Sequence, residues 1–109
     1  MSLYFPTPAE CSLHTIFPGV TVQTCSADKM MLCLATLQPH SVVEEHSHPH
    51  EQMGILISGR LEFTIGGVTK VLNPGDLWRI PGGVLHKAVA VDGPAVALDC
   101  FHPIREDYL

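Results

Sequence analysis

Residues 46–59 read HSHPHEQMGILISG, which joins a dense group of histidines to the start of an apolar segment. On extended backbone, side chains two residues apart point to the same side, so His46 and His48 can present two imidazoles to one point. Gln52 follows four residues after His48 and could offer its amide oxygen as a third ligand. Imidazole and amide groups in this arrangement predict a site for a divalent transition metal.

The residues on both sides of this stretch predict short strands separated by turns. The predicted strands cover residues 20–22, 31–37, 55–57, 60–65, 68–72, 77–80, 87–91 and 95–101. The predicted turns, rich in Gly, Pro and Asp, cover residues 26–29, 58–59, 66–67, 73–76, 81–83 and 92–94. Such regular turns without a long helical period predict an all-β sandwich or closed barrel, and the tail after residue 101 has room for one helical turn at most.

The composition fits one ordered domain and excludes several partners. The 109 residues are 46% hydrophobic and 16% charged, so a single core is expected. A net charge of −5 with six Lys and Arg gives no basic surface for nucleic acid. No apolar stretch is long enough to span a membrane and residues 1–6 lack the pattern of a signal peptide, so we expect a cytoplasmic protein. The four scattered cysteines are expected to be buried thiols without a redox role.

The spacing around the histidines resembles the cupin family. The pattern HxH, three residues, Gln52, six residues and Gly59 is similar to the first cupin motif. Residues 75–86, GDLWRIPGGVLH, resemble the second motif, whose final histidine supplies a further metal ligand. The fifteen residues between Gly59 and the second block match the shortest spacing between the motifs in that superfamily.

The resemblance implies a single cupin domain over residues 1–109, folded as a double-stranded β-helix or jelly-roll barrel. Residues 1–14 would form an N-terminal arm, and residues 35–103 would form the core that carries both motifs. One divalent metal ion would be held by His46, His48, Gln52 and His86. These ligand types leave the identity of the ion open among Zn, Mn, Fe, Ni and Co.

Two residues depart from the usual cupin pattern: Gln52 stands where Glu is usual, and Ala90 where Asn is frequent. Glu51 would face the other side of the strand, so Gln52 is the expected ligand. A neutral amide leaves the charge of the ion uncompensated, which favours an anionic substrate. His50 is expected outside the ligand set. The remaining histidines, expected at the surface or in a supporting position, are His14, His40 and His102.

The HSHPHEQ segment and the ending DCFHPIREDYL, residues 99–109, also resemble the small pectin-degradation cupins of the KdgF type. That resemblance implies conversion of ring-closed unsaturated uronates to open-chain ketouronates, with pocket residues at Asp99, Phe101 and Arg105. Strand alternation independently places Asp99 and Phe101 on one face. Asp99 is the candidate general acid or base, Phe101 an apolar wall, and Arg105 a clamp for a carboxylate. The alternative for Arg105 is a tail residue paired with Glu106 or Asp107.

These residues predict a metal-dependent enzyme that acts on a small anionic sugar acid by non-redox acid and base chemistry. The alternatives are a metal-dependent dioxygenase or isomerase for another small polar substrate, and a non-catalytic barrel that binds a small ligand. Small cupins commonly pair, so a homodimer is expected. Trp78 is expected in the core or at a dimer interface. The orientations of three cations are left open: Arg60, Arg79 and Lys87.

Overall fold

The computed structural model describes residues 4–109. Its strands, in chain order, are β1 (Ser12–Phe17), β2 (Val20–Ser26), β3 (Met31–Leu37), β4 (Val42–His46), β5 (Glu51–Ile65), β6 (Val68–Leu72), β7 (Leu77–Ile80) and β8 (His86–His102). Two short 3-10 turns, Pro8–Glu10 and Glu106–Tyr108, stand near the ends of this region. No helix among residues 4–109 is long and apolar enough to cross a membrane.

Two long strands, β5 and β8, pair with each other and take part in two sheets at once. The half of β5 that contains residues 51–58 and the half of β8 that contains residues 95–102 lie in a sheet with strand order β1-β2-β3-β8-β5-β7. The other halves, residues 60–65 and 86–91, lie between β4 and β6. Every pairing is antiparallel, and the two sheets enclose a barrel. The predicted all-β jelly-roll fold is confirmed.

The turns predicted at residues 58–59 and 92–94 are wrong, because both segments bend a continuous strand instead of ending it. Pairing between β5 and β8 shifts register on both sides of Ser58. Gly59 has a φ of 81°, and a Cβ added there would lie 2.2 Å from the carbonyl oxygen of Pro94. Glycine is therefore required where the two strands cross from one sheet to the other.

Alternation along the strands separates a filled interior from the outer surface. In β3, Met31 and Cys33 are buried while Leu32 and Leu34 are exposed. In β7 the pattern places Trp78 inside, as expected for a core residue. All four cysteines are free, but the prediction that they are buried holds only for Cys33. The other three are partly exposed because they lie on outward-facing positions or outside the strands.

Two strands, β1 and β4, were not predicted. β1 begins at Ser12, inside the predicted arm, whose residues 1–3 lie outside the described part of the chain. β4 carries two adjacent glutamates, Glu44 and Glu45, and its burial does not alternate regularly. A strand of this kind leaves no period-two signal in the sequence.

Candidate metal centre and pocket

Three histidines from two strands and a turn converge at one end of the barrel. His46 ends β4 and His86 begins β8, and the two residues are direct partners in the antiparallel ladder. His48 lies in the turn that leads from β4 into β5. The ring centroids are 4.4 Å apart for His46 and His86, and 5.0 Å apart for His48 and His86. One nitrogen from each ring lies within 4.8 Å of the other two, a spacing that a metal ion could bridge.

Backbone carbonyls fix which nitrogen of each ring faces the centre. The Nδ1 atoms of His46, His48 and His86 lie 2.8, 3.1 and 2.8 Å from the carbonyl oxygens of Glu44, His50 and Val84. A carbonyl can only accept, so each Nδ1 is the protonated nitrogen and each Nε2 keeps its lone pair. Nε2 of His86 is buried and has no hydrogen-bond partner among the described residues. This is the tautomer that metal-binding histidines adopt.

Burial favours the neutral form of the two buried imidazoles, those of His48 and His86. Desolvation lowers the pKa of His48 to about 4, with further lowering by the nearby Arg105 cation and by His86. Desolvation also lowers the pKa of His86, against a rise from its hydrogen bond to the carbonyl of Val84. Neutral imidazole is the form that binds a metal.

Gln52 presents its amide oxygen to the same point. Its Oε1 lies 3.0 Å from Nε2 of His48, while its Nε2 donates to Oδ1 of Asp99 at 2.9 Å. The same Oδ1 accepts a hydrogen bond of 2.7 Å from the indole nitrogen of Trp78. Two lone pairs, one on Gln52 and one on His48, therefore face each other at hydrogen-bond distance. A cation held between them would satisfy both, so the donors present fit a divalent metal ion.

Asp99 is the buried acidic group behind this cluster. Desolvation raises the pKa of Asp99 to about 6, and the hydrogen bonds from Gln52 and Trp78 oppose the rise. Its Oδ2 receives no hydrogen bond from a described residue, and the side chain lines the interior of the barrel. The carboxyl group thus has one oxygen held by two donors and one left for a proton or a ligand.

The remaining two predicted pocket residues lie beside the histidines. Phe101 is buried, and its ring meets that of His48 edge to face at a centroid distance of 5.5 Å. The guanidinium carbon of Arg105 lies 5.1 Å from the Phe101 centroid and 4.0 Å from that of Tyr108. Nε and Nη2 of Arg105 donate to the two carboxylate oxygens of Asp107 at 3.3 and 2.8 Å. The pairing with Asp107 that the sequence left open is therefore present, although Arg105 itself is buried.

The chain end is tied down over the pocket. The carbonyl oxygen of Tyr108 accepts a hydrogen bond of 2.6 Å from the Thr24 hydroxyl and lies 3.0 Å from Nε2 of His14. These contacts hold the 3-10 turn against β1 and β2, and the turn holds Arg105 in place.

The site connects two spaces. An inner cavity of about 60 Å³ has a mostly apolar lining that also includes Gln52 and Asp99. An open depression of about 510 Å³ lies outside it, and His46 and Arg105 line both spaces. The outer volume lies within the range of about 300–1,000 Å³ that is usual for small-molecule sites. A ligand in the depression would reach His46, one of the three clustered histidines, and Arg105 together.

Other charged and titratable residues stay outside the cluster. Glu51 is exposed on the face opposite Gln52, and the exposed Arg60 pairs with Asp92. His50 lies next to His48, but the group of convergent nitrogens does not include it. His40, Arg79 and His102 are also exposed. Lys87 is exposed as well, but it borders the inner cavity.

Sequence reasoning missed two contributors to the site. Trp78 was expected only to pack, but its indole N–H bonds to Asp99 because both residues flank β5. Tyr108 was not singled out, although its ring covers Arg105. The alternation of Trp78 with Ile80 was a signal that the indole points inward, whereas the tail gave no periodic signal at all.

Fold and site together define a small barrel whose three convergent histidines could hold a metal ion, and the match to a known family agrees with this. The Cupin_2 family model, described as a cupin domain, matches residues 33–101, which is more than half of the chain. The protein is a member of the cupin family.

Comparison with solved structures and curated proteins finds several similar chains. KdgF from Halomonas sp. is 27% identical with a TM-score of 0.86, and the match covers 96% of this chain and 97% of that one. An RmlC-like cupin from Shewanella frigidimarina is also 27% identical, with a TM-score of 0.88 and coverage of 99% and 97%. A curated relative, the H2HPP isomerase of Bacillus subtilis, is 35% identical over 99 residues. That match covers 89% of this chain, which spans only 41% of the length of the isomerase.

Proposed function

We propose that this cupin is a metal-dependent enzyme that isomerises a small anionic sugar acid, converting a ring-closed unsaturated uronate to an open-chain ketouronate. One observation carries the proposal: the lone pairs of three histidines and Gln52 converge where the inner cavity meets a depression that Arg105 also lines. The likeness to KdgF over nearly the whole of both chains supports this choice of substrate class.

The proposed ligands of the ion are the Nε2 atoms of His46, His48 and His86 and the Oε1 atom of Gln52. A bound divalent ion supplies Lewis-acid polarisation of a substrate oxygen. Because all four ligands are neutral, the charge of the ion adds to that of Arg105 and favours an anionic substrate.

Arg105 is the proposed anchor for the substrate carboxylate. Its Nε and Nη2 atoms are engaged with Asp107, which leaves Nη1 without a partner among the described residues. The rings of Phe101 and Tyr108 hold the guanidinium plane, so a carboxylate would meet a preorganised donor. Phe101 is buried and forms an apolar wall beside the ring of His48.

The proposed conversion is an isomerisation, so no atom or electron is gained or lost. The anomeric hydroxyl loses its proton, and the bond between the anomeric carbon and the ring oxygen breaks. The resulting enol becomes a ketone when a proton is added to the alkene carbon. Asp99 is the proposed carrier of this proton through Oδ2, because Oδ1 is held by Gln52 and Trp78.

The test uses protein loaded with one divalent metal at a time and an unsaturated uronate as substrate. Loss of the ultraviolet absorbance of the conjugated alkene should proceed equally with and without O₂. Asp99→Asn should lower kcat by about 100-fold or more, and Arg105→Lys should mainly raise KM. The matched control is His102→Ala, which removes an exposed imidazole and should leave turnover unchanged. Absence of turnover with every metal would refute the uronate assignment.

A second candidate is isomerisation of a different small carboxylate. It is favoured by the 35% identity to H2HPP isomerase and by the largely apolar lining of the inner cavity. A panel of unsaturated carboxylates, run beside the uronate, separates the two. Turnover that requires O₂ would instead indicate a dioxygenase, and saturable binding without turnover would indicate a non-catalytic ligand-binding barrel.

We also propose that the protein forms a homodimer through the outer face of the sheet that contains β1, β2, β3 and β7. Register places one row across it, in which Leu34 pairs with Leu98, Leu98 with Ile55, and Ile55 with Leu77. Exposed apolar side chains on this face are Leu13, Leu32, Leu34, Met53, Ile57 and Leu77. Together they expose on the order of 600 Å², which approaches the ~800 Å² that each partner of a stable complex buries.

A further inference from the structure

Gly54 lies between two side chains that bond across it. In the ladders of β5, Gly54 is the direct partner of Trp78 in β7 and of Asp99 in β8. A Cβ added to Gly54 would lie 2.3 Å from the indole nitrogen of Trp78 and 2.4 Å from Oδ1 of Asp99. Real Cβ atoms do not approach so closely, so the hydrogen bond between Trp78 and Asp99 requires a glycine in the strand beneath it.

That hydrogen bond decides how the amide of Gln52 is oriented. Oδ1 of Asp99 is an acceptor, and it already receives the indole N–H of Trp78. Only the NH₂ end of Gln52 can bond to it, at 2.9 Å, so the Oε1 end must turn toward His48. A flipped amide would place two oxygens against each other at Asp99 and an N–H against the metal-binding nitrogens.

We propose that Trp78, Gly54 and Asp99 form a positioning unit that holds the Gln52 amide with its oxygen toward the metal site. The same unit explains why residue 52 is Gln in this chain, where the cupin motif usually has Glu. An amide has a donor for Asp99 on one side and an acceptor for the ion on the other. A carboxylate at residue 52 has no donor for Asp99 and would set two acids against each other. This inference rests on the metal site of the proposed function and extends it to residues that would not touch the ion.

Trp78→Phe is the most direct test, because it removes the N–H donor and keeps an aromatic ring in the core, although it also removes part of the packed indole. Asp99 then loses one of two donors, and the Gln52 amide is held less firmly. Loss of a group that hydrogen-bonds a metal ligand directly typically weakens metal binding by about 10- to 100-fold. Trp78 acts through Asp99, so the lower end of this range is expected. The readouts are the affinity for Co²⁺, measured by competition with a chelator, and the visible absorption spectrum of the bound Co²⁺, which reports its ligand geometry.

Phe63→Leu is the matched control. The ring of Phe63 packs against Trp78 at a centroid distance of 5.1 Å, so this change loosens the same part of the core and keeps the indole N–H. We expect Trp78→Phe to weaken Co²⁺ binding at least tenfold and to alter the spectrum, whereas Phe63→Leu keeps the parent affinity within twofold. Gly54→Ala should resemble Trp78→Phe. If Gly54→Ala fails to fold, the comparison of Trp78→Phe with Phe63→Leu still tests whether the indole N–H positions the Gln52 amide.

Co²⁺ binding by Trp78→Phe within twofold of the parent, with an unchanged spectrum, would overturn the positioning role whether or not uronates are converted. Weakened binding in a protein that converts no uronate would instead reject the proposed substrate and leave the positioning role standing. A parent that binds no Co²⁺ would overturn both.

Discussion

Gln52→Glu replaces the neutral amide with a carboxylate beside the buried Asp99. In the parent, the amide nitrogen of Gln52 lies 2.9 Å from Oδ1 of Asp99 and donates to it. A glutamate has the same length and offers an oxygen at that position. On its other side the new carboxylate would face Nε2 of His48, which also carries a lone pair. In metal-free protein the substitution thus turns a hydrogen bond into a repulsion.

The size of this effect follows from the distance and the pH. Two charges 2.9 Å apart repel by about 6 kcal/mol at an effective dielectric constant of about 20. Uptake of one proton removes the repulsion, and for Asp99, whose pKa is already raised to about 6, this costs about 3 kcal/mol at pH ~8 and almost nothing at pH ~5. The destabilisation should therefore be a few kcal/mol at the higher pH and small at the lower one.

The direction in which stability changes with pH follows from the raised pKa values of the carboxyl pair. Burial already raises the pKa of Asp99 to about 6 in the parent. A second carboxylate raises the pKa of the pair further in the folded state. A group of this kind contributes most to folding below its unfolded pKa, and that contribution is lost as the pH rises through the folded pKa. Stability of Gln52→Glu should fall, relative to the parent, between about pH 5 and about pH 8.

Urea unfolding of metal-free protein at these two pH values, with chelator present, measures the effect. The double variant Gln52→Glu/Asp99→Asn is the matched control, because it exchanges the amide and the carboxylate between the two positions. The amide now at position 99 carries no charge, so the carboxylate now at position 52 no longer faces a second negative charge. We expect this double variant to recover most of the stability lost at the higher pH. A Gln52→Glu variant as stable as the parent at about pH 8 would refute the reasoning.

Three further predictions concern other parts of the barrel. Leu34→Glu should convert the dimer to a monomer, as measured by light scattering. Val68 is also exposed but lies on the β5–β6 hairpin, so Val68→Glu should remain a dimer. A Leu34→Glu variant that is still a dimer would contradict the proposed interface. Burial raises the pKa of Cys33 to about 12 from 9.0, so at about pH 8 its thiolate is about a thousandfold scarcer than that of an ordinary cysteine. Peptide mass spectrometry should find Cys11, which is partly exposed outside the strands, alkylated in the native protein and Cys33 only after unfolding. Equal labelling would contradict the burial of Cys33. Leu56→Ala should lower the free energy of unfolding by about 2–5 kcal/mol, since the Leu56 side chain is only 1% exposed. A loss below about 1 kcal/mol, measured by urea unfolding, would contradict close packing around Leu56.

The fold was predictable because its signals are local. Two spaced motifs, short alternating strands and regular turns were sufficient to predict an all-β cupin barrel. The continuity of β5 and β8 was not predictable, because Gly59 and residues 92–94 give the same signal for a bend as for a turn. Only pairing between the two strands, which depends on residues far apart in the sequence, distinguishes the two cases.

The arrangement of the candidate site was predictable in part. The two-residue spacing of His46 and His48 and the alternation of Asp99 with Phe101 each placed a pair of side chains correctly on one face. The bond between Trp78 and Asp99 depends on the register of β7 and β8 against β5, which alternation within one strand cannot fix. The pairing of Arg105 with Asp107 was one of two alternatives that the sequence left open.

Metal content and affinity test the central claim most directly. Protein purified without added metal, then reconstituted with each candidate ion, should bind close to one ion per chain by elemental analysis and calorimetry. His86→Ala removes the buried Nε2 that lacks a partner among the described residues, and should weaken binding by at least about 100-fold, beyond the effect expected for a supporting residue. His102→Ala, which removes an exposed imidazole, should bind like the parent. A parent that binds no divalent ion, or a His86→Ala variant that binds as tightly as the parent, would contradict the account.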